Sequence, residues 1–140
     1  MDDRELIRLA KEARERSYSP YSDFSVGAAL LASDGSVHLG CNIENAAYTP
    51  TVCAERVAFF GAIKDGARNF SKIAIVGARS GEEPACACPP CGVCRQVMAE
   101  HCDPDVFRVV LEDNGEIRSV LLRDLYPDGF YPDRVKEKCK

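Results

Sequence analysis

The chain has 140 residues, 46% of them apolar and 29% charged, a balance that fits a globular protein and excludes a disordered one. Eighteen basic against 22 acidic side chains leave a formal charge of −4, with no basic stripe of the kind a nucleic-acid binder carries. Apolar runs such as Val26 to Ala32 fall far short of the ~20 residues needed to cross a bilayer, so no membrane partner is expected.

The length fits one domain, residues 1–140, ending in a charged tail from about residue 131. The start, Met1-Asp2-Asp3-Arg4-Glu5, is acidic where a secretory leader would be basic and then apolar. Eight cysteines in 140 residues make about 6%, below the range of disulfide scaffolds. A cytoplasmic protein with reduced thiols is the expectation.

Leu6, Leu9, Ala10 and Ala13 recur at helical spacing, which predicts an amphipathic helix over residues 2–16. Pro20 ends that region by biasing Ser19 away from helical backbone. Phe24 to Ala32 reads as a mostly apolar strand, Asp34-Gly35 as a hairpin turn, and Ser36 to Asn42 as the returning strand. After a loop from Ile43 to Pro50, a helix is predicted from about Val52 to Asp65, with Thr51 as N-cap and Gly66 just past its end. Lys72 to Ala78 reads as a short buried strand. Residues 79–90 form a polar, proline-rich loop, and a second helix runs from about Cys91 to His101. Asp105 to Leu111 is a further strand, Asp113-Asn114-Gly115 a turn, and a short helix falls near Val120 to Leu125. The order α-β-β-α-β-α-β predicts a mixed sheet covered by helices.

Clustered cysteines in a reduced protein point to metal binding or catalysis rather than bridges. Cys91 and Cys94 are three residues apart, one helical turn, so their sulfurs share a face. Cys53 stands at the start of the earlier helix, where unpaired amides favour a thiolate. Three thiolates leave one corner of a tetrahedron open, the arrangement of a catalytic zinc. Glu55 is two residues after Cys53, placed to stand beside that corner and move protons without ligating. Arg56, three after Cys53, and the two helix starts are suited to offset the thiolate charge.

A competing arrangement uses Cys86, Cys88, Cys91 and Cys94 as a closed four-thiolate site, which would free Cys53 and make the protein a non-catalytic zinc module. Pattern alone makes Phe24, which alternates with Val26, a core residue. Asn42 and Glu44 read as polar groups at a loop edge. His38 and His101 lack companion ligands, and Cys41, Cys102 and Cys139 are expected to be inert thiols.

Cys-x-Glu followed by Pro-Cys-x-x-Cys is the signature of zinc nucleobase deaminases. Beyond it, the chain resembles the small homotetrameric cytidine deaminases from about residue 4 to residue 130. The resemblance is carried by Ser19-Pro20-Tyr21-Ser22 with Phe24, Val26-Gly27-Ala28-Ala29-Leu30, Gly40-Cys41-Asn42-Ile43-Glu44-Asn45-Ala46, Cys53-Ala54-Glu55-Arg56 and Pro90-Cys91-Gly92-Val93-Cys94-Arg95-Gln96.

The resemblance implies a three-layer α/β/α sandwich with a five-stranded mixed sheet and one Zn2+ per subunit. It implies Cys53, Cys91 and Cys94 as zinc ligands and Glu55 as the proton shuttle. Phe24 would pack on the pyrimidine ring, Asn42 and Glu44 would hydrogen-bond the ribose 3′-hydroxyl, and the Ala54 amide would read the base edge. Arg56 would hydrogen-bond ligand sulfurs, and Tyr48 and Phe130 would reach a neighbouring subunit's site. The implied activity is deamination of cytidine and deoxycytidine in pyrimidine salvage. The alternatives are another cytosine nucleoside of the blasticidin S kind or the non-catalytic zinc module. The loop before Pro89 is longer than usual in that family and carries the extra Cys86 and Cys88.

Overall fold

A computed structural model describes residues 1–136; Cys139 lies outside the described residues. The elements run α1 (Asp3–Arg14), β1 (Phe24–Ala32), β2 (Val37–Cys41), α2 (Ala54–Lys64), β3 (Phe70–Arg79), α3 (Gly92–His101), β4 (Arg108–Asp113), β5 (Glu116–Leu121), α4 (Leu122–Leu125) and α5 (Asp133–Lys136). Five strands form one sheet in the order β2-β1-β3-β4-β5. Only β3 and β4 run parallel; the other three pairings are antiparallel.

Strand alternation divides the apolar residues between two layers. Ala29, Leu31, Ala74, Val76 and Val110 face α1, which contributes Leu6, Ile7 and Ala10. Ala28, Leu30, Ile73, Ile75, Val109 and Leu111 face the opposite way, onto Ala58, Phe59 and Ala62 of α2 and Cys94 and Met98 of α3. The three-layer sandwich is thus the direct product of two apolar faces on one sheet. Asp2 caps α1, its side chain accepting from the Glu5 amide at 2.8 Å.

Two expectations need correction. Helix α2 starts at Ala54, and its N-cap is Cys53 rather than Thr51. Val52 and Ile43 exchange backbone hydrogen bonds of 3.0 Å, which keeps the chain extended through Val52. The Thr51 hydroxyl accepts instead from the Asn45 amide at 3.0 Å. The second correction concerns residues 116–121, which form strand β5. Val120 pairs with Val109 in that strand, and the short helix begins only at Leu122. Four hydrogen-bonding or charged side chains stand among or beside its apolar ones, Glu116, Arg118, Ser119 and Asn114, and they hide an edge strand whose outer residues need no core. Asn114 (φ +52°) and Gly115 (φ +86°) close its hairpin with β4, as the Asn-Gly pair favours.

Candidate active site

Helices α2 and α3 both begin on a cysteine in extended conformation: Cys53 (φ −76°, ψ 154°) and Cys91 (φ −70°, ψ 170°). Neither side chain caps its own helix. The thiols turn toward each other instead, with Cys53 Sγ and Cys91 Sγ 3.7 Å apart. Cys94, in the first turn of α3 and fully buried, completes a group whose ligand atoms all lie within 4.8 Å of one another. A tetrahedral zinc with Zn–S of about 2.3 Å needs sulfurs roughly 3.8 Å apart, so the Cys53–Cys91 spacing already suits one ion.

Charge within the group fits a dication. The Cys94 thiol hydrogen-bonds to Cys53, and with Arg56 and Cys91 this pulls Cys53 down to about 5 despite burial. Cys94 is pushed up by the same bond and by burial. Arg56 Nη2 donates to Cys53 Sγ at 3.4 Å, while its buried Nε has no partner. The donor set is three sulfurs with a guanidinium behind one of them, which fits one zinc ion. Among the described residues Cys86 and Cys88 are not part of this group. Cys86 is exposed, and burial raises Cys88 to about 11.

Glu55, in the first turn of α2, is only 4% exposed. Burial raises it to about 7, and the charge on neighbouring Cys53 adds to the rise. A carboxyl that takes up and releases a proton near neutrality is suited to shuttling. Ala54, fully buried at the first helical position, carries one of the amides that a helix start leaves without an intrahelical acceptor.

Phe24 opens β1 and is 40% exposed, so it is not the core residue that strand alternation alone predicts. Its ring and Cys88 Sγ both pack over Gly77, where a Cβ would come within 2.9 and 2.8 Å of them. Asn42 follows β2 and binds back onto β1. Its Oδ1 accepts from the Val26 amide at 2.8 Å and its Nδ2 donates to the Phe24 carbonyl at 2.8 Å. Glu44 Oε1 accepts from the amides of Tyr21 (2.9 Å) and Ser22 (3.1 Å), and Oε2 accepts a short bond from the Ser22 hydroxyl. That hydroxyl, joined by the two amides, holds the Glu44 carboxyl below its ordinary range. Phe24, Asn42, Glu44 and the turn at residues 21–22 are therefore one hydrogen-bonded unit.

Tyr48 and Phe130 are not hydrogen-bonded into that unit. Tyr48 has a left-handed backbone (φ +62°), is 72% exposed and meets Tyr21 edge-on at 6.2 Å. Phe130 is 57% exposed, and its carbonyl accepts from Gln96 Nε2 of α3 at 2.7 Å. Sequence reading missed two groups that shape the site. Ser22 and Gln96 were both visible only as members of motifs, with no role of their own.

No helix among the described residues is long and apolar enough to cross a membrane. Residues 1–110 match the cytidine and deoxycytidylate deaminase zinc-binding region. The chain is 47% identical over 130 residues to a cytidine deaminase of Sporosarcina psychrophila, covering 93% of this chain and 92% of that one. It is 48% identical over 137 residues to a cytidine deaminase of Halalkalibacterium halodurans, covering 98% and 100%. The crystal structure of cytidine deaminase from Burkholderia pseudomallei superimposes with a TM-score of 0.84 at 47% identity, covering 93% and 100% of the two chains. With a paired helix-start thiolate site and likeness along nearly its whole length, the chain belongs to the cytidine and deoxycytidylate deaminase family.

Proposed function

We propose that this protein hydrolyses the exocyclic amine of cytidine and deoxycytidine, giving uridine or deoxyuridine and ammonia, as a step of pyrimidine salvage in the cytoplasm. The whole chain acts as one domain, and four copies assemble into a homotetramer with the active sites at subunit boundaries. The observation that carries the reading is the convergence of Cys53, Cys91 and Cys94 beside a buried Glu55. When bound, zinc supplies a Lewis acid that lowers the pKa of water at its open position.

The residues of this chain supply the rest. Glu55 takes a proton from the attacking water and delivers it to N3 of the cytosine ring. The water oxygen bonds to C4, Glu55 takes the second proton from the resulting C4 hydroxyl to the amine, and the bond from C4 to nitrogen breaks, so that ammonia leaves and the C4 carbonyl remains. Arg56 lies against Cys53 and draws negative charge away from the ligand sulfur. Phe24 covers the flat face of the base, the Ala54 amide meets the base edge, and Asn42 and Glu44 hold the ribose 3′-hydroxyl. Tyr48 and Phe130 extend to the site of a neighbouring subunit. The test is a panel of cytidine, deoxycytidine, cytosine, CMP and blasticidin S followed by ultraviolet absorbance, with zinc quantified in the same preparation. Turnover of the two nucleosides with one zinc per chain is expected; no change with either nucleoside, or turnover of blasticidin S alone, overturns the reading.

A further inference from the structure

An asparagine amide has two lone pairs on Oδ1 and two hydrogens on Nδ2. In Asn42 three of these four are engaged inside the protein. Nδ2 donates to the Phe24 carbonyl, and Oδ1 accepts from the Val26 amide. The second lone pair of Oδ1 is taken by the Ser17 hydroxyl at 2.5 Å. A single Nδ2 hydrogen is left for a ligand.

Ser17 is held in place by its own backbone. It lies between α1 and β1, and the next residue bonds both sides of Asn42 and Glu44: Tyr18 donates to the Asn42 carbonyl at 3.0 Å and accepts from the Glu44 amide at 2.8 Å. Tyr18 and Ile43 form a parallel bridge. The Ser17 hydroxyl therefore faces Asn42 by construction of the chain. The Ser19 hydroxyl is also 3.2 Å from the Ser17 hydroxyl, but a carbonyl oxygen cannot donate, so the single Ser17 proton goes to the closer Oδ1.

We propose that Ser17 is a positioning residue for Asn42: its hydroxyl closes the last acceptor site on the amide, so that Asn42 meets the ribose only as a hydrogen-bond donor. This rests on the deaminase reading above. Glu44 is the complement of Asn42. As a carboxylate it accepts only, and three of its hydrogen bonds come from residues 21 and 22. A ligand oxygen that accepts from Asn42 and donates to Glu44 is a free hydroxyl. An ether or phosphate ester at that place lacks the proton for Glu44, and a hydrogen lacks both halves. Without Ser17, an Oδ1 lone pair is open and the amide keeps only its two anchors on β1.

The test compares the wild type with Ser17→Ala and Ser17→Thr on cytidine and 3′-deoxycytidine, measuring kcat and KM separately. Ser17→Ala is expected to raise KM for cytidine roughly three- to tenfold, the size of one neutral hydrogen bond, with kcat and zinc content held. The same substitution is expected to leave KM for 3′-deoxycytidine unchanged, and Ser17→Thr to restore wild-type behaviour on cytidine. An equal loss on both substrates would show a general structural effect and overturn the proposal, as would no loss on cytidine. A wild type that turns over neither substrate refutes the deaminase reading itself, an outcome distinct from both.

Discussion

At the scale of single residues, the proposed shuttle needs one carboxyl close to its charged-to-neutral midpoint. Glu55 achieves this by burial, beside a sulfur that carries charge. Glu55→Gln keeps the volume and removes the titration, so zinc content is expected to stay at one per chain. In the proposed mechanism the same group serves both proton transfers, so kcat is expected to fall by about 10²–10⁴-fold or more; stopped assays of cytidine turnover against metal content check it. The extra loop thiols make the opposite case. Cys86 is exposed, and Cys88 packs over Gly77 against Phe24 rather than joining the metal-binding group. Replacing both by serine is expected to leave one zinc per chain, whereas Cys53→Ala is expected to lose it. Retention of zinc in Cys53→Ala, with loss in the double serine variant, would restore the four-thiolate arrangement.

At the scale of elements, the close approach of helix to sheet is the limiting feature. A Cβ on Gly40 of β2 would sit 2.2 Å from the Ala54 carbonyl and 2.6 Å from the Ala58 amide. A Cβ on Gly27 of β1 would meet the α1 backbone just as closely, at the Ala10 carbonyl. The obstacle in both cases is backbone, which cannot swing aside. Gly40→Ala is therefore expected to push out the start of α2, where Cys53 and Glu55 sit, and to cost about 1–3 kcal/mol or more. Denaturant unfolding should show the loss of stability, and zinc affinity should weaken with it.

This scale also shows what the sequence discloses and what it hides. The grouping of Cys53, Cys91 and Cys94 and the boundaries of β1 were legible because spacing along a helix and apolar continuity are local properties. Thr51 was misread as a cap because the bridge between Val52 and Ile43 is a contact of tertiary structure. Strand β5 was invisible to periodicity, since an edge strand with exposed Glu116, Arg118 and Ser119 has little apolar pattern to show. The exposed setting of Phe24 contradicts its alternation with Val26, because it is the first residue of β1, at the open end of the buried run. Ser17 carried no signal at all: its value comes from where Tyr18 bridges Ile43.

At the scale of the whole molecule, α3 joins the metal to the C-terminal segment. Cys94 of the three-sulfur group sits in its first turn, Arg95 donates to the carbonyls of Pro90 and Leu125, and Gln96 donates to the carbonyl of Phe130 while accepting from the Tyr126 hydroxyl. Phe130 is held by its backbone and leaves its ring outward, as a group reaching another subunit requires. Sedimentation is expected to give four times the 15.4 kDa chain mass. Phe130→Ala is expected to lower kcat/KM by about fivefold or more, as truncation of an aromatic interface anchor does, with zinc content unchanged. A monomer with full activity would remove the neighbour's ring from the chemistry.

The separation of Cys53 from Cys91 by 38 positions fixes an order of events on the ribosome. At roughly 5–20 residues added per second, the first sulfur waits about 2–8 s for its counterpart to be synthesised. Strand β3, which pairs with β1, lies between the two cysteines along the chain. A polypeptide halted before Cys91 therefore carries Cys53 and Glu55 without the other two sulfurs of the group.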